Sequence, residues 1–243
     1  MFIEFCLPIY NEEKILKNNV LKLLNYCDSQ NFNFDWRIII LNNGSTDNSE
    51  KISQELQKKY PQKIKIENIQ QPGRGQALKK YWQKGQADIV VYMDIDLAVS
   101  LNNIHTLINP LIKEGYDLVI GSRLLPASKI ERSFIRSLSS KSYNWLSKIF
   151  FNHHLSDMQC GFKAIKTDVF KKIAPYIKDN KWFFDTELII FTKYFNYKIK
   201  EIPVDWQENR YDQRKTKVNI LKDSITFMLN LIKLKMRLYK IRK

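Results

Sequence analysis

Two carboxylates, Asp94 and Asp96, directly follow the apolar run Ile89-Val90-Val91-Tyr92-Met93. At the end of a strand, side chains two apart project the same way, so this pair can share one divalent cation with a diphosphate. A solvated acidic loop or a helix N-cap would show the same D-x-D pattern. Leu7-Pro8-Ile9-Tyr10-Asn11-Glu12-Glu13 closes an earlier apolar run with a rigid turn, an aromatic face and a carboxylate. That set suits a base and ribose hydroxyls, although Asn11 could simply cap a helix. Asn42-Asn43-Gly44-Ser45-Thr46-Asp47 ends another run and by itself is also readable as a turn with capping residues. Gly73-Arg74-Gly75-Gln76 imitates a dinucleotide fingerprint but lacks the third glycine and follows a third strand, which argues against that reading. His105, His153 and His154 lack metal-ligand spacing.

The elements that must carry these residues alternate. Short apolar runs at residues 3–9, 36–41, 64–69, 88–93 and 117–120 read as strands, and amphipathic stretches at 12–26, 47–59, 76–84 and 101–113 read as helices. Such alternation predicts an α/β fold with a mostly parallel sheet covered on both faces, and ligands bound beyond the carboxyl ends of its strands. After Arg123 come a basic and aromatic stretch (130–151), a loop, a helix at 182–195, a strand-like 198–206 and a terminal helix from 219.

Composition narrows the class. A chain of 243 residues, 44% hydrophobic, can bury one large core. Forty Lys and Arg against 25 Asp and Glu give a formal charge of +15, which attracts polyanions of any kind. The three cysteines form no disulfide framework or zinc pattern, so a reduced, cytoplasmic compartment is expected. No secretory signal or spanning segment is visible. No nucleic-acid module is present, and acidic strand ends would repel a phosphate backbone.

The strand-end motifs, in this order, resemble the family-2 glycosyltransferases of the GT-A (Rossmann-like) fold. Gly121-Ser122-Arg123, then Glu131-Arg132-Ser133 with Arg136, then Asp157-Met158-Gln159-Cys160-Gly161-Phe162-Lys163, then Trp182-Phe183-Phe184-Asp185-Thr186-Glu187-Leu188 narrow the resemblance. They are similar to the dolichyl-phosphate glucosyltransferase and dolichol-phosphate mannose synthase families. No one motif is specific; their order over residues 3–206 is.

The resemblance implies an inverting, nucleotide-sugar-dependent hexosyltransferase. Its donor would be UDP-glucose, or alternatively GDP-mannose, its acceptor a polyprenyl phosphate and its cation Mg²⁺ or Mn²⁺. Pro8, Tyr10 and Glu12 match nucleoside-holding positions. Asn42 and Asn43 stand where relatives usually show paired aspartates, and an amide offers a donor as well as an acceptor to the base. Asp94 matches a carboxylate near ribose and diphosphate, Asp96 the main metal ligand and Arg74 a basic residue near the diphosphate. Arg123 with Arg132 or Arg136 matches arginines that grip the acceptor phosphate, a pairing that suits the guanidinium fork. A phosphate acceptor is mostly dianionic near neutral pH and needs no base; a sugar-hydroxyl acceptor would, and Asp185 is then the candidate. Lys217, in Arg214-Lys215-Thr216-Lys217-Val218, matches a closing loop or is part of a solvated charge run.

The chain is thus expected to divide into a GT-A domain, residues 1–216, and a basic amphipathic helix, residues 217–243. Leu221, Ile225, Met228, Leu229, Ile232 and Met236 recur at helical spacing beside an excess of Lys and Arg. That pattern fits a helix lying on an anionic membrane surface, peripheral on the cytosolic face, and equally a helix packed on protein. A pseudoenzyme on the membrane or, given the basic charge, a nucleic-acid-binding protein is the non-catalytic alternative, and the oligomeric state is not legible.

Overall fold

The computed structural model describes residues 1–131, 134–207 and 220–242; side chains of 131–141, 220–225 and 242 lie outside the description. Strand β1 (Phe2–Ile9) pairs in parallel with β2 (Asp35–Asn42) and with β4 (Ile89–Met93), and β2 pairs with β3 (Ile64–Asn68). All four run alike because helices α1 (Glu13–Ser29), α2 (Ser49–Lys59) and α3 (Arg74–Lys84) return the chain to the same end each time. Each strand therefore delivers its next residues to one edge of the sheet.

Beyond β4 the sheet departs from a parallel progression. Helix α4 (Ile104–Lys113) leads to β5 (Leu118–Ser122), but β7 (Phe162–Lys166) inserts antiparallel between β4 and β5. Strand β8 (Ile199–Pro203) then closes the order β3-β2-β1-β4-β7-β5-β8 among the described residues. Because β7 runs backwards, its first residues, rather than its last, meet the edge where β4 and β5 end: Met93 pairs with Phe162. A short parallel pair, β6 (Lys129–Glu131) and β9 (Asp205–Gln207), folds over that edge, with Trp206 bridged to Val99.

The strand and helix readings before residue 120 agree with these elements to within a few residues. The region read as loop after residue 151 instead holds β7 and helix α6 (Thr167–Ile173). Strand β7 gave little signal because its second residue is Lys163, a charge at a central, fully buried position, and no apolar run survives it. Residues 130–151 supply β6 and helix α5 (Phe134–Phe151), 182–195 supply α7 (Phe184–Tyr194), and the terminal helix is α8 (Ile220–Arg242).

Period-2 alternation gives each strand two apolar faces. Ile3, Phe5 and Leu7 pack under α1 and α4 with Leu16, Val20 and Leu107; Cys6, Val90 and Tyr92 pack under α3, α6 and α7 with Trp82, Phe170 and Phe184. The second core also takes Leu231 and Leu234 of α8, both buried. The three cysteines are free and buried. No helix of the described residues is long and apolar enough to cross a membrane.

Candidate active site

The loops after β1 and β2 are stitched to each other by hydrogen bonds, some between neutral groups and some to carboxylates: Glu13 Oε2 accepts the Asn48 N–H at 3.0 Å, and Asp47 Oδ2 accepts the Glu13 N–H at 3.1 Å. Asn11, at φ 53°, presents its amide to Thr46: Oδ1 accepts the Thr46 N–H at 2.8 Å and Nδ2 donates to Thr46 Oγ1 at 3.2 Å. An asparagine tolerates that left-handed backbone better than most residues. The Glu12 N–H donates to Ser49 Oγ at 2.8 Å. Pro8 is half-buried, Tyr10 exposed and Glu12 buried along this rim. Asn42 Nδ2 donates to Asn68 Oδ1 at 2.9 Å, and its Oδ1 accepts the Ser45 N–H at 3.2 Å. Asn43 Oδ1 accepts the Gly73 N–H at 2.9 Å, which ties this rim to the turn that opens α3.

That turn carries Arg74. Its guanidinium lies 4.3 Å from the Trp182 ring centroid and 5.2 Å from that of Tyr92, forms an ion pair with Asp185, and stands 3.8 Å from Asp94 Oδ1. Burial works to lower its pKa, but the Asp185 carboxylate overrides this and drives it above its usual value. Burial pushes the Tyr92 phenol well up as well, so it stays protonated and donates to Asp94 Oδ1 at 2.7 Å. Arg74 Nε is buried without a hydrogen-bond partner among the described residues. A buried guanidinium N–H in that state is costly unless an acceptor arrives.

Asp94 and Asp96 are half-buried while Ile95 and Leu97 are buried, but β4 has already ended: the Leu97 N–H donates to the Asp94 oxygen at 3.0 Å, closing a turn with Leu97 at φ 49°. The Ala98 N–H donates to Asp96 Oδ1 at 3.1 Å. Asp94 lies against Gly161, just before β7; a Cβ there would collide with the carboxylate, and the Asp94 N–H donates to the Gly161 oxygen at 3.1 Å. Only glycine leaves room for that approach. No group of three or more His, Cys, Asp or Glu that could hold a metal occurs among the described residues. Two carboxylates leave most of a six-oxygen shell to other ligands, which fits Mg²⁺ or Mn²⁺ bound together with a diphosphate.

A cleft of about 80 Å³ is lined by Asp94, Asp96, Ala98, Arg123, Gly161 and Trp206, among others. Arg123, immediately after β5, grips buried Asp157 by a fork: Nε to Oδ2 at 2.7 Å and NH2 to Oδ1 at 3.0 Å. Burial alone would raise the Asp157 carboxyl; the Arg123 guanidinium outweighs it and holds the pKa at about 2. Glu201 of β8 supports the same turn by accepting the Ser156 and Asp157 N–H groups at 2.8 and 2.9 Å.

Of the sequence-derived candidates, Asp94, Asp96 and Arg123 therefore share one cleft, and Arg74 adjoins Asp94. Asp185 is 0% exposed and buried beneath: Arg74 engages Oδ2, and Lys163 Nζ donates to Oδ1 at 2.8 Å. Arg132 and Lys217 lie outside the described residues, and of Arg136 only the backbone, in α5, is described. The sequence reading missed Tyr92, Trp182, Trp206 and Lys163 as parts of the site. Tyr92 looked like core, and nothing local ties Trp182 to Arg74 or Trp206 to Asp96.

Residues 4–174 match the family model described as Glycosyl transferase family 2. Glycosyltransferase AglD of Haloferax volcanii is 29% identical over 221 residues, covering 91% of this chain but 35% of that protein. The chain thus spans about a third of that relative. Dolichyl-phosphate beta-glucosyltransferase ALG5D of Trichomonas vaginalis is 27% identical, covering 95% of this chain and 75% of the relative; the Saccharomyces cerevisiae dolichyl-phosphate beta-glucosyltransferase is 28% identical, covering 86% and 67%. Among solved structures, glucosyl-3-phosphoglycerate synthase from Mycobacterium tuberculosis in complex with uridine-diphosphate superposes with a TM-score of 0.67 at 19% identity, covering 96% of this chain and 80% of that one. The same enzyme with Mn²⁺, UDP-glucose and phosphoglyceric acid gives 0.67 at 17% identity, covering 96% and 79%. The fold is thereby of the GT-A type.

Proposed function

The chain belongs to glycosyl transferase family 2, and on that premise we propose that it moves a hexose, glucose from UDP-glucose, onto a polyprenyl phosphate with inversion at the sugar carbon. The observation that carries this reading is the shared cleft, lined by Asp94, Asp96 and Arg123 together. Carboxylates suit the cation side of a nucleoside diphosphate, and an arginine suits an anionic acceptor. Asp94 and Asp96 would hold a Mg²⁺ or Mn²⁺ ion, whose positive charge would offset the negative charge that builds on the leaving diphosphate. Arg74 adds a second cation, and a diphosphate oxygen would satisfy its buried Nε. Trp182 and Tyr92 flank its guanidinium and so restrict where that charge sits.

A phosphate acceptor also agrees with the state of Asp185. Both its oxygens are committed to buried cations, so it is poorly placed to take a proton from a hydroxyl. Arg123, with Arg132 and Arg136 as its expected helpers, would instead align a dianion that attacks without deprotonation. Glucose over mannose is supported by the names of the relatives; Asn42 and Asn43 would meet the base side of the donor with Pro8, Tyr10 and Glu12, and Lys217 would close over it.

A membrane surface is the proposed place of work. Apart from Met1 and Tyr10, the exposed large apolar side chains among the described residues all lie on α5 and α8, which pack together: Trp145 and Ile149 on one, and Leu229, Ile232, Met236, Tyr239 and Ile241 on the other. Helix α8 thus has two apolar stripes, Leu231 and Leu234 inward and Leu229, Ile232 and Met236 outward, with Lys233 and Lys240 exposed beside the latter. That arrangement suits shallow insertion into an anionic interface.

One assay tests both halves: labelled UDP-glucose and GDP-mannose offered to polyprenyl phosphate in anionic liposomes, with wild type and a Lys233→Glu/Lys240→Glu variant. Label should enter the lipid phase from UDP-glucose with a divalent cation present. The variant should sediment less with liposomes, each lysine contributing on the order of 1 kcal/mol, while still glucosylating a short soluble prenyl phosphate. Preference for GDP-mannose overturns the sugar, label reaching a sugar-hydroxyl acceptor offered in parallel but no prenyl phosphate overturns the acceptor, and unchanged sedimentation overturns the surface.

A further inference from the structure

Helix α8 also reaches towards the Arg74 corner. Arg237 NH2 pairs with Glu187 Oε1 at 2.6 Å and donates to the backbone oxygen of Tyr176 at 3.3 Å. Glu187, in the first turn of α7, is nearly fully buried, and its Oε2 accepts the N–H groups of Lys178 and Asp179, both at 2.7 Å. These bonds hold the start of segment 177–183. The rest of that segment is pinned to the opening of α3: the Asn180 oxygen accepts the Gln76 N–H at 3.0 Å, and Asn180 Oδ1 accepts from Lys79 Nζ at 2.8 Å. A Cβ at Gly75 would strike Phe184 and the Lys181 oxygen, so there is no slack between the two. At the segment's end Trp182 lies against the Arg74 guanidinium.

We infer that Glu187 and Arg237 are positioning residues for the donor site, fixing segment 177–183 so that Trp182 holds Arg74 at the diphosphate, and that nucleotide affinity therefore depends on the C-terminal helix. This rests on the reading above in which Arg74 meets the donor. Neither residue lines the cleft. Docking of α8 does not need them, since Leu231 and Leu234 already join the core. A largely buried ion pair adds little net stability over an apolar substitute, and what it contributes is a single arrangement of the groups it joins. A small displacement of a group that must meet a diphosphate is costly to binding and rate.

The test is Arg237→Met, which keeps an unbranched stem near Phe191 and leaves Glu187 its two backbone donors, together with Arg237→Lys and Glu187→Gln. Amide exchange at 178–182 and calorimetric affinity for UDP and GDP are measured without lipid, beside the thermal midpoint. Arg237→Met should speed exchange at Lys178 and Asp179 and weaken nucleotide binding roughly 10-fold, with Arg237→Lys recovering part of both. Glu187→Gln should show the same pair of changes and serves if Arg237→Met does not fold. A lower thermal midpoint with exchange and affinity both unchanged overturns the inference, because the pair is then only structural. Failure of wild type to bind either nucleotide defeats the donor reading, and with it the site these residues are said to position; altered exchange alone would then mark a purely structural coupling.

Discussion

The two halves of the site are built differently. Around β1, β2 and the α3 turn, the rim is joined by hydrogen bonds between adjacent segments rather than by ion pairs: Asn11 to Thr46, Asn42 to Asn68, Asn43 to Gly73 and Asn48 to the Glu13 carboxylate. Around β5, β7 and α7 the site is held by buried ion pairs between residues far apart in the chain: Arg123 with Asp157, Arg74 and Lys163 with Asp185, Arg237 with Glu187. Such contacts at a rim can be lost one at a time. A buried charge that loses its partner keeps its full desolvation cost, so the second half should fail as a unit.

The largest expected effect lies at the seam between the halves. Asp96→Ala should lower transfer by roughly 10³-fold or more with the thermal midpoint nearly preserved, since the side chain is half-buried and lines the cleft. Undiminished turnover with Mg²⁺ or Mn²⁺ would remove the cation from Asp96. A carboxylate of the second half should behave in the opposite way. Asp157→Ala strands Arg123 and should cost about 3–5 kcal/mol in urea unfolding before any kinetic effect is considered; a loss below about 1 kcal/mol would erase the contrast between the halves. Asn42→Ala removes two neutral bonds of the first half and should cost only about 1–2 kcal/mol. Its more telling readout is the ratio of UDP to GDP affinity, and an unchanged ratio would take Asn42 out of base recognition.

The same division governs what could be read from the chain. Asp94-x-Asp96, the Pro8 to Glu12 turn and Asn42-Asn43 each follow an apolar strand of a parallel β/α progression, where element and ligand edge are both set by local periodicity. Their placement at one edge was therefore determined by sequence alone, while the GT-A class was implied by the family resemblance that the order of the motifs carries. The antiparallel insertion of β7 was not, because its central Lys163 is tolerable in a core only beside Asp185, 22 residues away. Arg123 could be named from its motif, but its fork on Asp157 spans 34 residues, and the Arg74 to Asp185 pair spans 111. Helical spacing showed one apolar stripe on α8, from Leu221 to Met236, without saying whether it faces protein, and it passed over Leu231 and Leu234. Tertiary structure decided that by placing Leu231 and Leu234 against the core and leaving Leu229, Ile232 and Met236 outside. Local pattern fixes which way a side chain can point along its own element, whereas the partner of a buried charge is set by which elements the folded chain stacks together.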